Sequence, residues 1–172
     1  MVRFNQTVYK RQGIERVEAV SGKKEQIEVI SIIKDQLSER AYLDYECPSY
    51  NKTLVTQFRS GCNNLRVEVG RRKRENREER ICKMCLTGEV EDETHVILKC
   101  YTYDKFREKM FKDIQRLTNF DFGCMEHDPS WIMETILGAG LSRDEDRRVV
   151  FRCLGIFLEK AVRLRLEWLD GL

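Results

Sequence analysis

The chain is poor in the features that would divide it or anchor it. Only two prolines occur in 172 residues and no low-complexity tract is present, so no linker is apparent. A length of this kind suits one domain, or one with a small appendage. No internal repeat is visible, which argues against a solenoid. No apolar run approaches the roughly 18 residues a membrane span needs; a clean one such as Leu154–Leu158 is core-sized. There is no signal-peptide pattern, and the seven cysteines are odd in number. Together these argue against a secreted disulfide framework and for a reducing compartment, nucleus or cytoplasm. Net charge is only +2, so any nucleic-acid role has to rest on local charge distribution. What the chain has in excess is charge of both signs, 35% of residues, which favours solvated helices over a sheet sandwich.

Four of the cysteine and histidine residues fall into a metal-ligand spacing. Cys82, Cys85, His95 and Cys100 read C-x2-C-x9-H-x4-C, with Glu89, Glu91, Asp92 and Glu93 in the gap. Two thiols two residues apart grip one ion from a tight turn, and a His and a third Cys close a tetrahedron. Such a soft sulfur and imidazole set suits Zn2+. The alternative is that these are buried thiols and a surface His that never share an ion. A catalytic zinc keeps one position open for water, whereas four protein ligands close the shell. The zinc deaminase signature puts His-x-Glu ahead of Cys-x-x-Cys; here the pair comes first, and Val96 and Ile97 follow His95. The site therefore reads as structural.

Taken in order, residues 1–22 have no clear period and read as an N-terminal arm. Residues 23–172 read as one helical domain containing a zinc knuckle at 80–103. Ile27, Ile30, Ile33, Leu37 and Ala41 recur at helical steps from Lys23 to about Tyr45. A second helix is expected over Asn51–Ser60, with Leu54, Val55 and Phe58 inward and Gly61 as its stop. Leu65-Arg66-Val67-Glu68-Val69 alternates apolar and charged residues, as a short strand would. Thr94 is a plausible N-cap for a helix carrying His95. Cys100 then lies about 140° round an ideal helix from His95, so a bend or break is expected near Cys100. Asp104–Leu117 shows a stripe of Phe106, Met110, Ile114 and Leu117. Asp128-Pro129 looks like an N-cap with proline at the first helical position. Ser142 and Glu145 fit a capping box that opens a long core helix to about Trp168. The fold class expected is mostly α, a helical domain organised around a CCHC zinc knuckle with a short strand or hairpin.

Between Arg66 and Lys83 there are eight Lys or Arg against four Glu, a local excess of +4. Arg66, Arg71, Arg72, Lys73, Arg74, Arg77, Arg80 and Lys83 are the candidate phosphate contacts, since guanidinium groups clamp phosphate through paired bonds. The competing reading makes Arg71–Glu75, Arg74–Glu78 and Glu79–Lys83 i, i+4 partners on a solvated helix. Tyr101, Tyr103 and Phe106 could stack on unpaired bases, but packing of the knuckle onto the next helix is the expectation. His127 between Glu126 and Asp128 reads as part of an exposed loop, and Cys47, Cys62, Cys124 and Cys153 have no ligand-like spacing.

Phe58-Arg59-Ser60-Gly61, Leu65-Arg66-Val67-Glu68-x-Gly70-Arg71, Arg80-x-Cys82-x-x-Cys85, Gly88-Glu89-Val90-Glu91-Asp92-Glu93-x-His95 and Cys100 together resemble one known region. It is the zinc-binding segment that follows the polymerase in reverse transcriptases of non-LTR (LINE-like) retrotransposons. The similarity is clearest over residues 54–107. It implies zinc ligation by Cys82, Cys85, His95 and Cys100, and help in holding template RNA or target DNA. Many relatives have proline after the last Cys, where this chain has Tyr101. Neither a Tyr/Phe-x-Asp-Asp polymerase motif nor a Pro-Asp…Asp/Glu-x-Lys nuclease array is present; Tyr42-Leu43-Asp44-Tyr45 has a single aspartate. The expected function is thus a non-catalytic accessory domain that binds the RNA or DNA backbone. A reverse transcriptase or another protein is a further partner, and no membrane or small-molecule substrate is expected. The alternative is a zinc-stabilised assembly module that binds protein through the apolar C-terminal helix.

Overall fold

The computed structural model describes residues 46–118, 120, 122, 128–139 and 141–170. The arm at 1–22 and the amphipathic stretch at 23–45 lie outside the described residues, as do Cys124 and His127. Five α-helices carry most of the described chain: α1 (Ser49–Arg59), α2 (Arg66–Arg72), α3 (Asp104–Leu117), α4 (Pro129–Ile136) and α5 (Asp144–Asp170). No strand occurs among the described residues; the one β-pairing is an isolated antiparallel bridge between Ile81 and Val90. None of these helices is long and apolar enough to cross a membrane.

The 27-residue α5 is the axis of the core. Val150, Phe151, Leu154, Phe157, Leu158 and Ala161 are buried along it, as expected for a helix with neighbours on several sides. Helix α1 crosses it closely at Gly155, where an added Cβ would lie 3.1 Å from Asn51 Cβ. Asn51 Nδ2 donates to Glu159 Oε2 at 3.2 Å, and the Arg59 guanidinium lies 4.8 Å over the Phe151 ring. Val55 and Phe58 face this contact, and Gly61 takes φ +65 to end α1. That left-handed geometry is the usual helix stop, and it favours glycine.

Helix α3 buries Met110 and Ile114, with Phe106 half-buried beside them. Leu117, expected on the same stripe, is instead 52% exposed because α3 ends there and the chain turns away through Thr118. Asp128 caps α4 by accepting from Ser130 N–H at 3.0 Å, with Pro129 at the first helical position. This is the cap read from the sequence.

The strand expected at Leu65–Val69 is a helix. Asn63 Oδ1 accepts from Leu65 N–H at 3.0 Å, and Glu91 Oε2 accepts from Arg66 N–H at 2.8 Å. With two first-turn donors satisfied from outside, the segment winds into α2 despite its β-branched valines. It closes in a full Schellman motif: Glu75 N–H bonds Gly70 O at 2.9 Å, and Arg74 N–H bonds Arg71 O at 3.2 Å. Arg74 occupies the left-handed position at φ 60, so the basic stretch turns sharply rather than continuing as one solvated helix. The i, i+4 pairs of the competing reading are therefore absent among the described residues. Arg71 pairs with Glu68 at 2.5 Å, and Glu75 with Arg66 at 2.6 Å.

Candidate metal centre

The turn that carries Cys82 and Cys85 is held from both sides. Cys82 N–H donates to Glu89 O at 2.8 Å and Glu91 N–H to Arg80 O at 3.0 Å, which closes the loop around the Ile81–Val90 bridge. Amides of Met84 and Cys85 face the Cys82 sulfur, the arrangement a Cys-x-x-Cys turn needs to stabilise thiolate. From the far side, Thr102 Oγ1 donates to Met84 O at 2.7 Å, and Leu86 N–H donates to the Tyr101 hydroxyl at 3.2 Å.

His95 and Cys100 reach the same point through a π-helical turn over His95–Lys99. In an α-helix five residues would leave them far apart round the axis. Here Cys100 N–H bonds His95 O at 2.7 Å, an i→i+5 bond that brings Cys100 back to the face of His95. Cys100 itself leaves helical geometry (φ -62, ψ 112) before the 3-10 turn Tyr101–Tyr103, so the break read from the spacing is present. Arg107 satisfies the carbonyls this exposes. Its guanidinium donates to Ile97 O at 2.6 Å and Cys100 O at 2.7 Å, and it is itself held by Asp104. The N-cap is Asp92, whose Oδ1 accepts from His95 N–H at 2.9 Å; Thr94, expected in that role, already has helical backbone angles.

The four side chains converge. Ligand atoms of Cys82, Cys85, His95 and Cys100 all lie within 4.8 Å of one another, and all four residues are buried. Cys82 Sγ and Cys100 Sγ are 4.0 Å apart; Cys85 Sγ and His95 Nε2 are 3.3 Å apart. A tetrahedron with bonds of about 2.3 Å to sulfur and about 2.0–2.1 Å to nitrogen has edges of roughly 3.8 and 3.6 Å. The cluster thus fits a shared four-coordinate ion. Cys100 is held down to about 5, first by its hydrogen bond with Cys82 and then by Thr102, while the same bond raises Cys82. Outside the cluster, burial pushes the Cys153 thiol up to about 11, Cys62 is exposed and Cys47 half-buried.

The acidic gap is almost wholly occupied with internal bonds. Glu89 Oε2 lies 3.0 Å from His95 Nδ1 and 3.8 Å from Lys99 Nζ, and the His95 bond holds its carboxyl below the usual range. Carboxylate–histidine–metal arrangements of this kind fix the ring tautomer and leave Nε2 free as ligand. Glu91 is 0% exposed and ion-pairs with Arg165 of α5. Asp92 pairs with Arg77 at 3.0 Å, and Glu93 accepts from Asn63 Nδ2 at 2.7 Å. None of these partnerships was legible beforehand; the one signal for Glu89 was a carboxylate six residues ahead of the ligand histidine. We expect Glu89→Gln to weaken metal affinity by about 10- to 100-fold with the fold intact. A competitive chelator titration measures it, and an unchanged affinity would deny Glu89 this role.

The eight basic residues divide into two sets. Arg66, Arg77 and Arg80 point inward: Arg66 and Arg77 hold Glu75 and Asp92, and Arg80 donates to Glu75 O at 2.5 Å and Val67 O at 3.1 Å. Gly70 makes room for Arg80, since a Cβ there would sit 2.5 Å from Arg80 Cγ. Arg71, Arg72, Lys73, Arg74 and Lys83 are exposed. Arg71 keeps its Glu68 partner, and Arg72 reaches Asn64 Oδ1 at 3.5 Å. Among the described residues no carboxylate neutralises Arg72, Lys73, Arg74 or Lys83. Of the aromatics, Tyr103 is 2% exposed and packs edge-on against Phe157 at 6.4 Å, Phe106 lies under Lys160, and Tyr101 stays 53% exposed.

No protein-family model, curated protein or solved structure matches the chain.

Proposed function

We propose that this chain is a non-catalytic, zinc-stabilised accessory domain that binds the RNA or DNA backbone, similar in role to the post-polymerase segment of non-LTR retrotransposon reverse transcriptases. Three thiols and one imidazole form a donor set that favours Zn2+, in the manner of a CCHC knuckle, and four protein ligands leave no open position for a reacting water. A reducing compartment, nucleus or cytoplasm, keeps such thiols metal-competent. The observation that carries the nucleic-acid reading is the Schellman turn after α2. It displays Arg72, Lys73 and Arg74 to solvent without carboxylate partners, while Arg80 pins the turn to the loop of the metal cluster. Cations held this way neutralise phosphates and release counterions. A reverse transcriptase or other protein is a compatible further partner.

Replacing Arg72, Lys73 and Arg74 together by alanine is the test. Anisotropy titrations of labelled RNA and DNA at several salt concentrations should show weaker binding to all sequences. The slope of log K against log salt should shrink by about 2–3, the loss of three phosphate contacts. Unchanged affinity and slope would remove this surface from the function.

A second reading, a protein-assembly module, draws on Ile156, Leu166 and Trp168 of α5, which are 38%, 53% and 39% exposed. A stable dimer in light scattering, with no affinity for any nucleic acid, would favour it.

A further inference from the structure

We infer that the outer tip of the metal turn is a stacking platform for unpaired bases, which makes single-stranded rather than duplex nucleic acid the preferred ligand. The inference rests on the nucleic-acid reading above and deepens it. Leu86 is 96% exposed and Tyr101 is 53% exposed. They meet at one spot, because Leu86 N–H donates to the Tyr101 hydroxyl at 3.2 Å.

The backbone of the tip is tied on both sides. Leu86 directly follows the ligand Cys85, whose sulfur lies 3.1 Å from Thr87 Oγ1. Tyr101 directly follows the ligand Cys100, and its neighbour Thr102 ties Met84 O at 2.7 Å. A metal that fixes Cys85 and Cys100 therefore also fixes the backbone from which Leu86 and Tyr101 stand out. Ordering an exposed ring beforehand lowers the entropy lost when a flat partner stacks on it.

Charge around the tip decides the class of partner. Lys83 lies in the same turn, is exposed, and has no carboxylate partner among the described residues. Glu89, the nearby exposed acid, is tied to His95 and Lys99. An aromatic ring and an aliphatic side chain beside an unneutralised cation suit a base stacked over Tyr101 with its phosphate near Lys83. Bases inside a duplex are stacked on each other and do not offer that face. The other two aromatics of the segment, Tyr103 and Phe106, are packed against α5 and are not part of this surface.

The experiment uses the full, metal-loaded chain and two labelled probes of equal length. One is an oligo(dT) of about 12 nucleotides, within the roughly 4–16 that a small single-strand module covers; the other is a duplex. Wild type should prefer the single strand. Tyr101→Leu and Leu86→Ser should lower single-strand affinity by roughly tenfold and leave duplex affinity unchanged, whereas Tyr101→Phe, which keeps the ring and gives up only the hydroxyl's bond to Leu86 N–H, should retain most of the affinity. Metal stoichiometry by native mass spectrometry confirms that each variant retains its turn. Equal binding of both probes, indifferent to the tip variants but lost in the Arg72, Lys73 and Arg74 variant, would overturn this inference and leave the backbone-binding function standing. No binding of either probe by wild type would remove both. Tip variants that dissociate a homodimer without affecting oligonucleotide binding would overturn it in favour of a protein contact.

Discussion

Under the zinc ligation proposed above, removing the metal with a chelator, or replacing Cys85 with serine, is expected to unfold residues 80–103 while α1 and α5 keep their pairing. Structural zinc in a site of this kind contributes about 10–16 kcal/mol at neutral pH, as much as the roughly 5–15 kcal/mol that holds a whole domain together. Beside the ion, the segment has the ties of its acidic loop, Glu91 to Arg165, Asp92 to Arg77 and Glu93 to Asn63, and little regular structure. Between Arg80 and Cys100 the pairing is one bridge and a single π turn, and without an ion the inward-facing polar groups of the cluster would be three thiols and one imidazole. Helices α1 and α5 depend on a different set of contacts. Val55 lies against Gly155, Asn51 bonds Glu159 and Arg59 covers Phe151, none of which touches the cluster. Far-ultraviolet circular dichroism should therefore retain much of its helical signal after chelation, with amide protection lost selectively from residues 80–103. Elemental analysis of Cys85→Ser should find the stoichiometric metal gone. If the chelated protein melted at the same temperature with the same protection pattern, the cluster would have no structural role.

The elements that could be read from the chain are those whose signal is local. Asp128-Pro129 announces the start of α4 because both residues act within their own turn, and the Asp128 side chain does accept from Ser130 N–H. Met110 and Ile114 share a face of α3 at the expected four-residue step. The four metal-cluster residues were legible because ligand spacing is a property of the sequence itself. Misreadings occurred where a distant group decides. Leu65–Val69 alternates like a strand, but Glu91, twenty-five residues away, accepts from Arg66 N–H and starts a helix. The π turn at His95–Lys99 depends on Arg107, which takes up the carbonyls that an ordinary α-helical ladder would have used. Nothing local in the acidic gap marks its partners, yet it supplies a partner for the histidine, a cap for its own turn and a buried carboxylate.

That buried carboxylate leads to the second large effect. Glu91 is 0% exposed, pairs with Arg165, accepts from Arg66 N–H and stands 3.8 Å from Cys82 Sγ. Its backbone oxygen also accepts from Val67 N–H at 3.0 Å. One residue thus joins α2, the metal turn and the end of α5. Burial works against the charge on Arg165, and the Glu91 carboxylate more than offsets it, so the guanidinium is held more firmly protonated than usual. Arg165→Met would leave that carboxylate buried without a counter-ion, and removing one partner of such a pair costs about 3–5 kcal/mol. For a domain of this size the melting temperature should fall by roughly 10 °C. Combining it with Glu91→Gln should restore much of the loss, because the amide keeps an acceptor for Arg66 N–H while the unpaired charge disappears. Chemical denaturation of both singles and the double measures the coupling directly. An Arg165→Met protein within about 0.5 kcal/mol of wild type, the usual range for surface substitutions, would show that the Glu91–Arg165 pair adds little to the docking of the metal turn on α5.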